Sequence, residues 1–546
     1  MKYLTTLFIL LYCSCNNYID VADIRVLAEE KTMLEIRGLV SGVVQDKGQL
    51  GGFYIQDARY FYKKSVFVNS SEQVSVGDEV LLNAIIIENN NETQLDNVEL
   101  LKIFSHNRFI NVEQISLPIS DEQWEELEGC LVEINDNLQI SDSYQFNKYG
   151  QLLLSKGELI QETELFDAQD DSLEIAHLTL QQEMNSIYVD DLSDFKFPKI
   201  DSLYLDPFKV VVGAECSKIK GFVSQYNKTY KVRLVNDLTV EQSVPPNLID
   251  VDTDLKIMNF NLYNLFNGNG KKEGFPTARG AKSYNAYQLQ LKKLASAIYA
   301  VDPDILAMME LENDGEDEFS SIQQFCDYLN KHGDRQYEIA HTHGVIGDYP
   351  IKTGIIYDPS VVETKYKAQY HNHPNFSRPS LSQRFMYNDS LEFILCANHF
   401  KSKGSRNAKG LDLDQKDGQA SYNYKRTLQA KTLLDIIDSL YFDENIIVLG
   451  DFNAYSQEDP IQALQSTNLN RLETVNHSYV YKGKNGSLDH VFVSDNFKDH
   501  IDQVKTWNIN SIYPSWINYT YNISDSSYFR SSDHNPMILG VNGYVK

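Results

Sequence analysis

Residues 446–453 are Ile446-Ile447-Val448-Leu449-Gly450-Asp451-Phe452-Asn453. This apolar run is rich in β-branched residues and too short to cross a membrane, and after a glycine it delivers an acid and an amide. A buried central strand that ends at an active site has this pattern. Near the C-terminus, Ser532-Asp533-His534-Asn535-Pro536 leads into another apolar run, Met537–Leu539. Acid, amide and imidazole groups at two strand ends predict metal-assisted attack on a phosphate.

From about residue 252 onward, predicted strands alternate with predicted helices. Apolar residues at positions 291, 294, 295 and 298 lie on one helical face, as do those at 430, 433, 434 and 437. A buried strand follows each helix, at Ile305–Met309 and at Ile446–Leu449. The alternation predicts an α/β domain.

Polar groups in this region recur where apolar runs begin or end. A lone Glu at a strand end is usually solvent-facing, and a lone His is more often structural than catalytic. Six such positions in one chain are easier to explain as one site than as separate coincidences. In chain order they carry Asn261 with Asn264, Glu310, His399, Asp451 with Asn453, Asp489, and Asp533 with His534.

Six short phrases support a resemblance to a known family. They are Met309–Asn313, Asn398–Lys403, Asp417–Gln419, Gly450–Tyr455, Gly486–His490 and Arg530–His534. In order and wording, residues 252–546 resemble the endonuclease/exonuclease/phosphatase superfamily, and especially secreted bacterial deoxyribonucleases with OB-like modules before the catalytic domain. The resemblance implies a four-layer α/β sandwich with two packed sheets. It also implies metal-dependent hydrolysis of phosphodiester bonds in DNA or RNA, with low sequence specificity and endonucleolytic cutting of DNA expected.

The resemblance further implies a role for each residue. Glu310, with Asn261 and Asp533, is expected to hold Mg²⁺, with Mn²⁺ or Ca²⁺ as alternatives, because hard cations take oxygen ligands. Asp489 would orient His534 as the base that activates water, and His399 would protonate or stabilise the leaving oxygen. Asp451 and Asn453 would hold phosphate and water, and Asp348 would orient His399. The predicted substrate-binding residues are Lys401, Lys403, Asn264, Arg378 and Arg426.

The sequence before residue 252 predicts β-rich modules. Residues 20–110 contain short strands with glycine turns and resemble an OB-like β-barrel, and residues 111–243 predict a second β-rich, OB-like region. Residues 244–251 form a predicted linker. An aromatic and basic group in the first barrel could bind nucleic acid or could belong to the core. Its members are Phe53, Tyr54, Arg59, Tyr60, Phe61, Tyr62, Lys63 and Lys64.

The first 15 residues predict export. Lys2 precedes an apolar stretch, Leu4–Tyr12, that is too short to span a bilayer and has the form of a signal peptide. Ser14-Cys15 before two asparagines indicates a bacterial lipoprotein site at Cys15, with Cys13 or ordinary secretion as alternatives. We therefore expect the envelope or the exterior as location, membrane contact through a lipid anchor only, and no protein partner.

Composition and charge restrict the function. Hydrophobic residues make up 42% of the chain and charged residues 23%, as in folded globular proteins. The 49 basic and 76 acidic residues leave a net charge of −27, which argues against nucleic-acid binding through a broad basic face. An acidic nuclease is still compatible with this charge, with modest, salt-dependent affinity. Beyond the leader, Cys326 and Cys396 are predicted core residues, and a Cys130–Cys216 disulfide is left open.

Two other functions compete with the nuclease. A phosphoinositide phosphatase or sphingomyelinase of the same fold typically carries Trp, a polar residue, Asp and Arg where this chain has Leu488-Asp489-His490. Pro514-Ser515-Trp516 resembles part of that phrase but lies after Asp489 and lacks the Asp-Arg pair. A non-enzymatic surface-binding lipoprotein is disfavoured because the predicted catalytic residues are intact.

Overall fold

The structure, a computed structural model, describes residues 18–27, 32–59, 64–193, 205, 209–241, 248–342, 346–521 and 527–543. The chain divides into two compact units. The first contains residues 1–158 and 180–243, and the second contains residues 159–179 and 244–546. The predicted domain boundaries stay predictions, but residues 159–179, which the sequence places in the second β-rich region, belong to the unit that holds the predicted catalytic residues.

The first unit begins with a barrel-like sheet. Its strands are β1 (Ile19–Asp20), β2 (Leu34–Val44), β3 (Gly52–Gln56), β4 (Ser65–Val68), β5 (Glu79–Asn89) and β6 (Glu92–Ser105), with a 3₁₀ helix at Val21–Leu27. The strand order is β1-β2-β3-β4-β6-β5, and β2 also pairs with β5. This last pairing closes the sheet around an apolar core that includes Ile36, Phe53 and Leu82.

A nine-stranded sheet follows in the same unit. Its strands are β7 (Glu113–Ile115), β8 (Leu131–Ile134), β9 (Leu138–Asp142), β10 (Leu152–Ser155), β11 (Ser186–Asp190), β12 (Glu215–Ser217), β13 (Ile219–Tyr226), β14 (Thr229–Leu234) and β15 (Thr239–Val240). Their order is β15-β12-β9-β10-β11-β14-β13-β8-β7. Helices α1 (Asp121–Leu127) and α2 (Phe146–Tyr149) lie between strands of this sheet in the chain.

The structure contradicts the aromatic platform proposed for the first barrel at Phe53, Tyr54 and Arg59, whereas Lys64 is only partly buried, with Nζ 3.2 Å from the carbonyl oxygen of Glu126. Phe53 and Tyr54 are fully buried, and Tyr54 stacks on Phe222 with ring centroids 3.9 Å apart. Arg59 is engaged by Asp57, with Nη2 2.9 Å from Oδ2, and lies close to two further carboxylates. These groups pack the interior or neutralise one another. Residues 60–63 of the platform and the leader with Cys13 and Cys15 lie outside the described residues.

The second unit contains two large sheets. The first consists of β16 (Leu255–Leu265), β17 (Ile305–Glu312), β18 (Glu338–Ile339), β19 (Ile351–Tyr357), β29 (Ile501–Thr506) and β30 (Met537–Val541), in the order β18-β19-β17-β16-β30-β29. The second consists of β20 (Val362–Thr364), β21 (Gln369–His371), β22 (Ser380–Tyr387), β23 (Leu391–His399), β24 (Ile446–Asp451), β25 (Leu469–Arg471) and β28 (Asp489–Ser494). Its order is β20-β22-β23-β24-β28-β25, and β21 pairs with β22. Strands β26 (Tyr479–Tyr481) and β27 (Lys484–Gly486) form a separate hairpin.

Helices alternate with these strands, as the sequence predicts. They are α3 (Glu162–Leu165), α4 (Ser172–Met184), α5 (Tyr284–Val301), α6 (Ser321–His332), α7 (Asn423–Leu440) and α8 (Asp459–Gln465), with 3₁₀ turns at Gly410–Asp412 and Asp495–His500. The division between the units falls within α4. The predicted apolar faces are those of α5 and α7, and the strands after them are β17 and β24, so this part of the prediction is confirmed.

The central strands of the second unit are buried on both faces. Ile257 and Ile305 belong to a core that also holds Leu395 and Leu449 of the other sheet. Their chain neighbours point the opposite way, because side chains alternate along a strand. Met258 and Leu306 pack with residues of α5 and α6, and Val448 packs with residues of α7 and α8. Burial on two faces explains why these strands are continuous apolar runs.

Two further sequence expectations concern cysteines and membranes. Cys216 is a buried thiol whose Sγ lies 3.8 Å from the carbonyl oxygen of Ala214, so the Cys130–Cys216 disulfide does not form. Cys326 and Cys396 are buried core residues, as predicted. Within the described ranges, no helix combines the length and the apolar character needed to cross a bilayer.

Candidate active site

Three of the predicted catalytic residues are brought together by strand register. His399 at the end of β23 is paired with Asp451 at the end of β24, and Asp451 is paired with Asp489 at the start of β28. Gly450 allows this close approach, because a Cβ at its position would lie 2.0 Å from the carbonyl oxygen of Asn398. All three functional side chains are almost fully buried. The second sheet therefore supplies a row of one imidazole and two carboxylates.

The first sheet contributes through a local break in its pairing. Strands β16 and β17 are in register up to Asn261 and Met309 and resume at Leu265 and Leu311. Within the break, Tyr263, Asn264 and Glu310 have φ angles of 54°, 54° and 62°. Left-handed backbone is uncommon for Tyr and Glu, and such bulges re-aim side chains at strand ends. The irregular backbone directs Asn264 and Glu310 towards each other.

His534 and Asp489 form a buried pair. The His534 Nδ1 atom lies 2.7 Å from Asp489 Oδ2. Burial alone would lower the pKa of His534, but the carboxylates of Asp489 and Asp451 more than offset this effect and raise it well above the usual histidine value. Asp489 itself is placed by Ser478, whose Oγ accepts the Asp489 backbone N–H at 3.0 Å. The pair has the arrangement of a histidine oriented and made more basic by an acid.

Asp451 lies between two imidazoles. Its Oδ2 atom is 3.5 Å from His399 Nε2, 3.9 Å from His534 Nε2 and 3.2 Å from Asn261 Nδ2, which donates to it. Its Oδ1 accepts the backbone N–H of Asn453 at 2.9 Å. Burial raises the pKa of Asp451, and Asp489 raises it further, whereas His534 lowers it. One carboxylate therefore lies beside both histidines and also contacts the predicted metal ligand Asn261 and the backbone of Asn453.

His399 differs electrostatically from His534. Burial and then the charge of Arg378 lower the pKa of His399 well below its usual value, so its imidazole is neutral near pH 7. Its Nδ1 is buried without a hydrogen-bond partner among the described residues. Asp348, predicted to orient it, is exposed and carries no contact to His399 in the described chain. The structure therefore does not support that assignment, and the carboxylate nearest to the imidazole is Asp451, 3.5 Å from Nε2.

Glu310 belongs to a crowded group of buried carboxylates. Its Oε2 accepts the backbone N–H of Asn264 at 2.9 Å and the Asn264 side-chain amide at 2.6 Å. Burial raises the pKa of Glu310, and repulsion from Asp533 and Asp451 adds to the effect. The Asn264 Oδ1 atom is buried without a partner among the described residues. Oxygen donors under mutual repulsion fit a hard divalent cation.

A second arrangement of ligand atoms also fits a metal. Ligand atoms of Asp451, Asp489 and His534 all lie within 4.8 Å of one another, and the three side chains are buried. The Nδ1 atom of His534 is already engaged by Asp489, whereas Glu310 keeps one oxygen outside its contacts with Asn264. Both groups meet at Asp451, so either could hold a cation beside it.

The predicted cations divide into two classes. Arg378 is buried, donates to the carbonyl oxygens of His399 and Phe400, and faces Asp451 and Glu310; burial lowers its pKa to about 10, which leaves it charged at neutral pH. Lys401 is partly exposed, with Nζ 4.1 Å from the centroid of the Tyr422 ring. These two are compatible with phosphate contact.

Lys403 and Arg426 do not meet the expectation of phosphate binding. Lys403 Nζ lies 2.6 Å from Glu458 Oε2, and burial lowers its pKa to about 8. Arg426 is fully buried and donates to the carbonyl oxygens of Gln419 and Ser421. Both cations are engaged by groups of the protein itself, Lys403 by a carboxylate and Arg426 by backbone carbonyl oxygens, and these contacts hold loops in place.

Sequence reasoning missed several residues at this site. Tyr479 packs on His534 with ring centroids 4.7 Å apart, and Ser478 places Asp489. Arg279 is exposed and adds positive charge to the surroundings of His399, Arg378 and Lys401. None of them lies at the end of an apolar run, which was the signal that identified the other residues.

Comparisons with known proteins identify the family of the chain. Residues 258–534, half of the chain, match the model of the Endonuclease/Exonuclease/phosphatase family, and the chain belongs to that family. No curated protein matches. Among solved structures, mannosyl-6-phosphatase from Bacteroides thetaiotaomicron VPI-5482 is 13% identical, with a TM-score of 0.35, over 53% of this chain and 99% of that chain.

Two other solved structures are similar at the same level. D. rerio TDP2 complexed with single strand DNA product is 14% identical with a TM-score of 0.34, over 53% of this chain and 98% of that chain. The human Nocturnin catalytic domain with bound sulfate anion is 15% identical with a TM-score of 0.35, over 52% of this chain and 93% of that chain. At these values the likenesses do not distinguish between substrates.

Proposed function

We propose that this protein is an exported, divalent-metal-dependent nuclease that hydrolyses phosphodiester bonds of DNA with low sequence specificity, and that RNA is a second candidate substrate. The family includes nucleases, phosphatases and other phosphodiesterases, so a metal-dependent phosphoesterase is the broader statement. The observation that supports the proposal most is the pair of histidines around Asp451, with His534 Nε2 and His399 Nε2 3.9 Å and 3.5 Å from its Oδ2.

The two histidines are suited to different proton tasks. Asp489 and Asp451 raise the pKa of His534 despite its burial, so His534 is the more basic imidazole. It accepts a proton only after its own Nε2 proton has left, which positive charge from a cation beside Asp451 would favour. His399 has a lowered pKa and stays neutral, so its ring N–H can donate a hydrogen bond. Opposed pKa shifts at neighbouring groups are typical of acid–base pairs, but they do not by themselves say which group acts first. The roles are therefore assigned from the Asp489–His534 hydrogen bond, which orients His534. We assign proton removal from the attacking water to His534 and stabilisation of the leaving oxygen to His399.

A divalent cation is part of the proposal. Glu310, with Asn261, Asp533 and the nearby Asp451, would hold it, and when bound it supplies positive charge to the phosphoryl oxygens. The residues themselves orient the reactants: Asp451 and Asn453 hold phosphate or water, and Arg378 and Lys401 balance the charge of neighbouring phosphates. Mg²⁺ is the expected ion, with Mn²⁺ or Ca²⁺ as substitutes.

The lipid-directed alternative on the same fold receives no support from the site. The residue after Asp489 is His490, which is fully buried with Nε2 2.8 Å from the carbonyl oxygen of Ala454. The Arg expected there in lipid phosphatases is therefore replaced by a core residue. The non-enzymatic alternative is disfavoured because buried carboxylates under mutual repulsion cost stability without a function to retain them.

The remaining expectations are part of the same proposal. The two sheets of the second unit and their helices would form the four-layer sandwich of the family, and the closed sheet of the first unit would be an OB-like barrel. Lipidation of Cys15 after export would place the protein on the envelope, with secretion as the alternative. The net charge of −27 predicts weak, salt-sensitive DNA binding.

The proposal is tested with purified full-length protein on supercoiled, linear and single-stranded DNA and on RNA. Nicking of supercoiled DNA in Mg²⁺ that EDTA abolishes is the expected result. Phosphoinositide and sphingomyelin substrates serve as the comparison. Release of phosphate or headgroup from these lipids without DNA cleavage would support the lipid-directed alternative, and no turnover of any substrate with Mg²⁺, Mn²⁺ or Ca²⁺ would refute catalysis.

A further inference from the structure

A segment outside the family-matched region is docked on the loops that carry the candidate catalytic residues. Residues 159–179 belong to the second unit, although the family match begins only at residue 258. Asn485 donates its backbone N–H to Leu159 at 2.8 Å, and Gln161 donates to Asn485 at 2.8 Å. Gln457 donates to the carbonyl oxygen of Thr163 at 2.9 Å. We call residues 159–165 the docking segment.

Glu164 of the docking segment binds two of these loops at once. Its Oε1 accepts the Ser456 hydroxyl at 2.5 Å, and its Oε2 accepts the backbone N–H groups of Ser456 at 3.2 Å and Ser487 at 3.0 Å. Only 8% of the Glu164 side chain is exposed. Ser456 follows Asn453 by three residues, and Ser487 precedes Asp489 by two. One carboxylate therefore connects the loop after Asp451 to the loop before Asp489.

The position of Asp489 depends on this neighbourhood. One of its oxygens is taken by His534, and the other is buried without a hydrogen-bond partner among the described residues. Glu164 and Asp489 line the same polar cavity of about 250 Å³, together with Arg471 and His477. Strand pairing with Asp451 and the Ser478 hydroxyl restrain Asp489 itself, and Glu164 adds contacts to the backbone next to it on the side of this cavity.

We infer that Glu164 is a positioning residue of the catalytic centre, which holds the backbone at Ser456 and Ser487 and thereby the geometry of Asp451, Asn453 and Asp489. The expected effect of Glu164 on turnover rests on the proposed function. It also implies that the catalytic unit is incomplete without the docking segment. Deleting residues 20–243 to test the barrels would remove Glu164 as well, so a loss of activity in that deletion would not measure DNA binding by the barrels.

The contacts predict that acceptor oxygens matter more than charge. The three hydrogen-bond partners of Glu164 are donors, and only the Ser456 hydroxyl can reverse its role. The His477 Nδ1 atom lies farther away, 3.7 Å from Oε1. In Glu164→Gln the carbonyl oxygen can accept both backbone N–H groups while the amide donates to that hydroxyl. Glu164→Leu leaves both buried N–H groups without an acceptor, which is the costly change.

The experiment compares Glu164→Leu, Glu164→Gln and the matched control Glu174→Leu in the full chain; Glu174 is an exposed residue of α4. We expect Glu164→Leu to lower kcat about 10–100-fold with KM for DNA nearly unchanged, because small displacements of catalytic groups act on the chemical step. Hydrogen exchange should become faster in peptides covering residues 453–458 and 484–489. The Gln variant and the control should behave like the parent protein.

Two results would overturn the inference: unchanged exchange in both peptides of folded Glu164→Leu, or faster exchange with unchanged kcat. If the Leu variant does not fold, Glu164→Asp takes its place, because it withdraws the carboxylate oxygens by one methylene. This variant should give the same pattern in weaker form. Exchange and kcat equal to those of the parent protein would then overturn the inference. The exchange comparison needs no turnover. An inactive parent protein would therefore contradict the proposed nuclease while this docking role is still measured.

Discussion

His534 Nδ1 lies 2.7 Å from Asp489 Oδ2, and both side chains are almost fully buried. The two residues are 45 positions apart in the chain and belong to segments that lead into different sheets. A carboxylate has no proton to donate, so in this hydrogen bond the proton lies on His534 Nδ1. The other ring nitrogen, Nε2, faces Asp451. The tautomer of the candidate base is thus set by a residue of the other sheet.

The first prediction concerns this pair. Asp489→Asn should lower kcat about 10²–10⁴-fold, because the amide no longer selects the Nδ1–H tautomer or stabilises the imidazolium. His534→Ala and His399→Ala should each lose a similar factor. Steady-state cleavage of plasmid DNA measures the effect, with His500→Gln as a control distant in the fold. Turnover that is unchanged in any of the three variants would remove that residue from the mechanism.

The second prediction separates the two candidate metal positions. Glu310→Gln should weaken Mn²⁺ binding at least about tenfold, because a hard cation loses an anionic oxygen. His534→Gln should change it by less, because His534 Nδ1 is occupied by Asp489. Titration with Mn²⁺ followed by electron paramagnetic resonance gives both affinities without turnover. The opposite ranking would place the cation in the group formed by Asp451, Asp489 and His534.

The third prediction distinguishes two lysines that look equivalent in the sequence. Lys401→Met should raise KM for DNA. It should also reduce the slope of the logarithm of the binding constant against the logarithm of the salt concentration by about one, as expected for a lost phosphate contact. Lys403→Met should instead lower the free energy of unfolding by about 3 kcal/mol, because the buried Glu458 carboxylate loses its closest cation and keeps only the Thr163 hydroxyl at 3.0 Å and the Arg426 guanidinium at 3.9 Å.

Urea unfolding and KM measured on both variants test this assignment. The double change Lys403→Met with Glu458→Gln should regain most of the lost stability, since it removes the buried negative charge that has lost its closest cation. A large rise in KM with unaltered stability in Lys403→Met would restore the original expectation that Lys403 binds phosphate.

The fourth prediction concerns pH and the stability of the first unit. Burial, with a contribution from Asp190, raises the pKa of Asp191 from 3.8 to about 6. A raised pKa means that the folded state binds the proton more tightly. Its contribution to stability is complete below pH 3.8 and is lost as the pH rises through about 6.

Asp191→Asn should therefore match the parent protein near pH 4 and be more stable by about 1 kcal/mol at pH 7.5, after allowance for solvent screening of this partly exposed group. The amide oxygen can still accept the Ser193 backbone N–H, which lies 3.0 Å from Oδ1 in the parent. Unfolding free energies at the two pH values, with exposed Asp237→Asn as control, measure the difference. Equal stability of the variant and the parent at pH 7.5 would contradict the shift.

Much of the second unit could be predicted from local pattern. Strands buried on both faces must be apolar throughout, so Ile305–Met309 and Ile446–Leu449 were visible, and the periodic faces of α5 and α7 were visible for the same reason. Functional groups at the ends of such strands stand out against the apolar run. That contrast identified Glu310, His399, Asp451, Asp489 and His534, which the fold brings into one cluster or directly beside it.

Other features depended on distant contacts that local pattern does not carry. Lys401 and Lys403 are two residues apart, yet only Lys403 meets Glu458, which is 55 positions away, and Arg426 is buried with Nη2 3.9 Å from the same carboxylate. Phe53 and Tyr54 look like a binding surface but fill a core, because the closed sheet turns them inward.

The left-handed backbone at Glu310 and the docking of Glu164 complete this contrast. Residue type and spacing predict neither feature. The first arises where strand pairing breaks, and the second where segments over 290 positions apart meet. The six sequence phrases were sufficient to indicate the family by resemblance, and residue chemistry at the strand ends was sufficient to identify the acid, amide and imidazole groups. Which charges are free, which are neutralised and what holds them in register follows from packing between segments that the chain order keeps far apart.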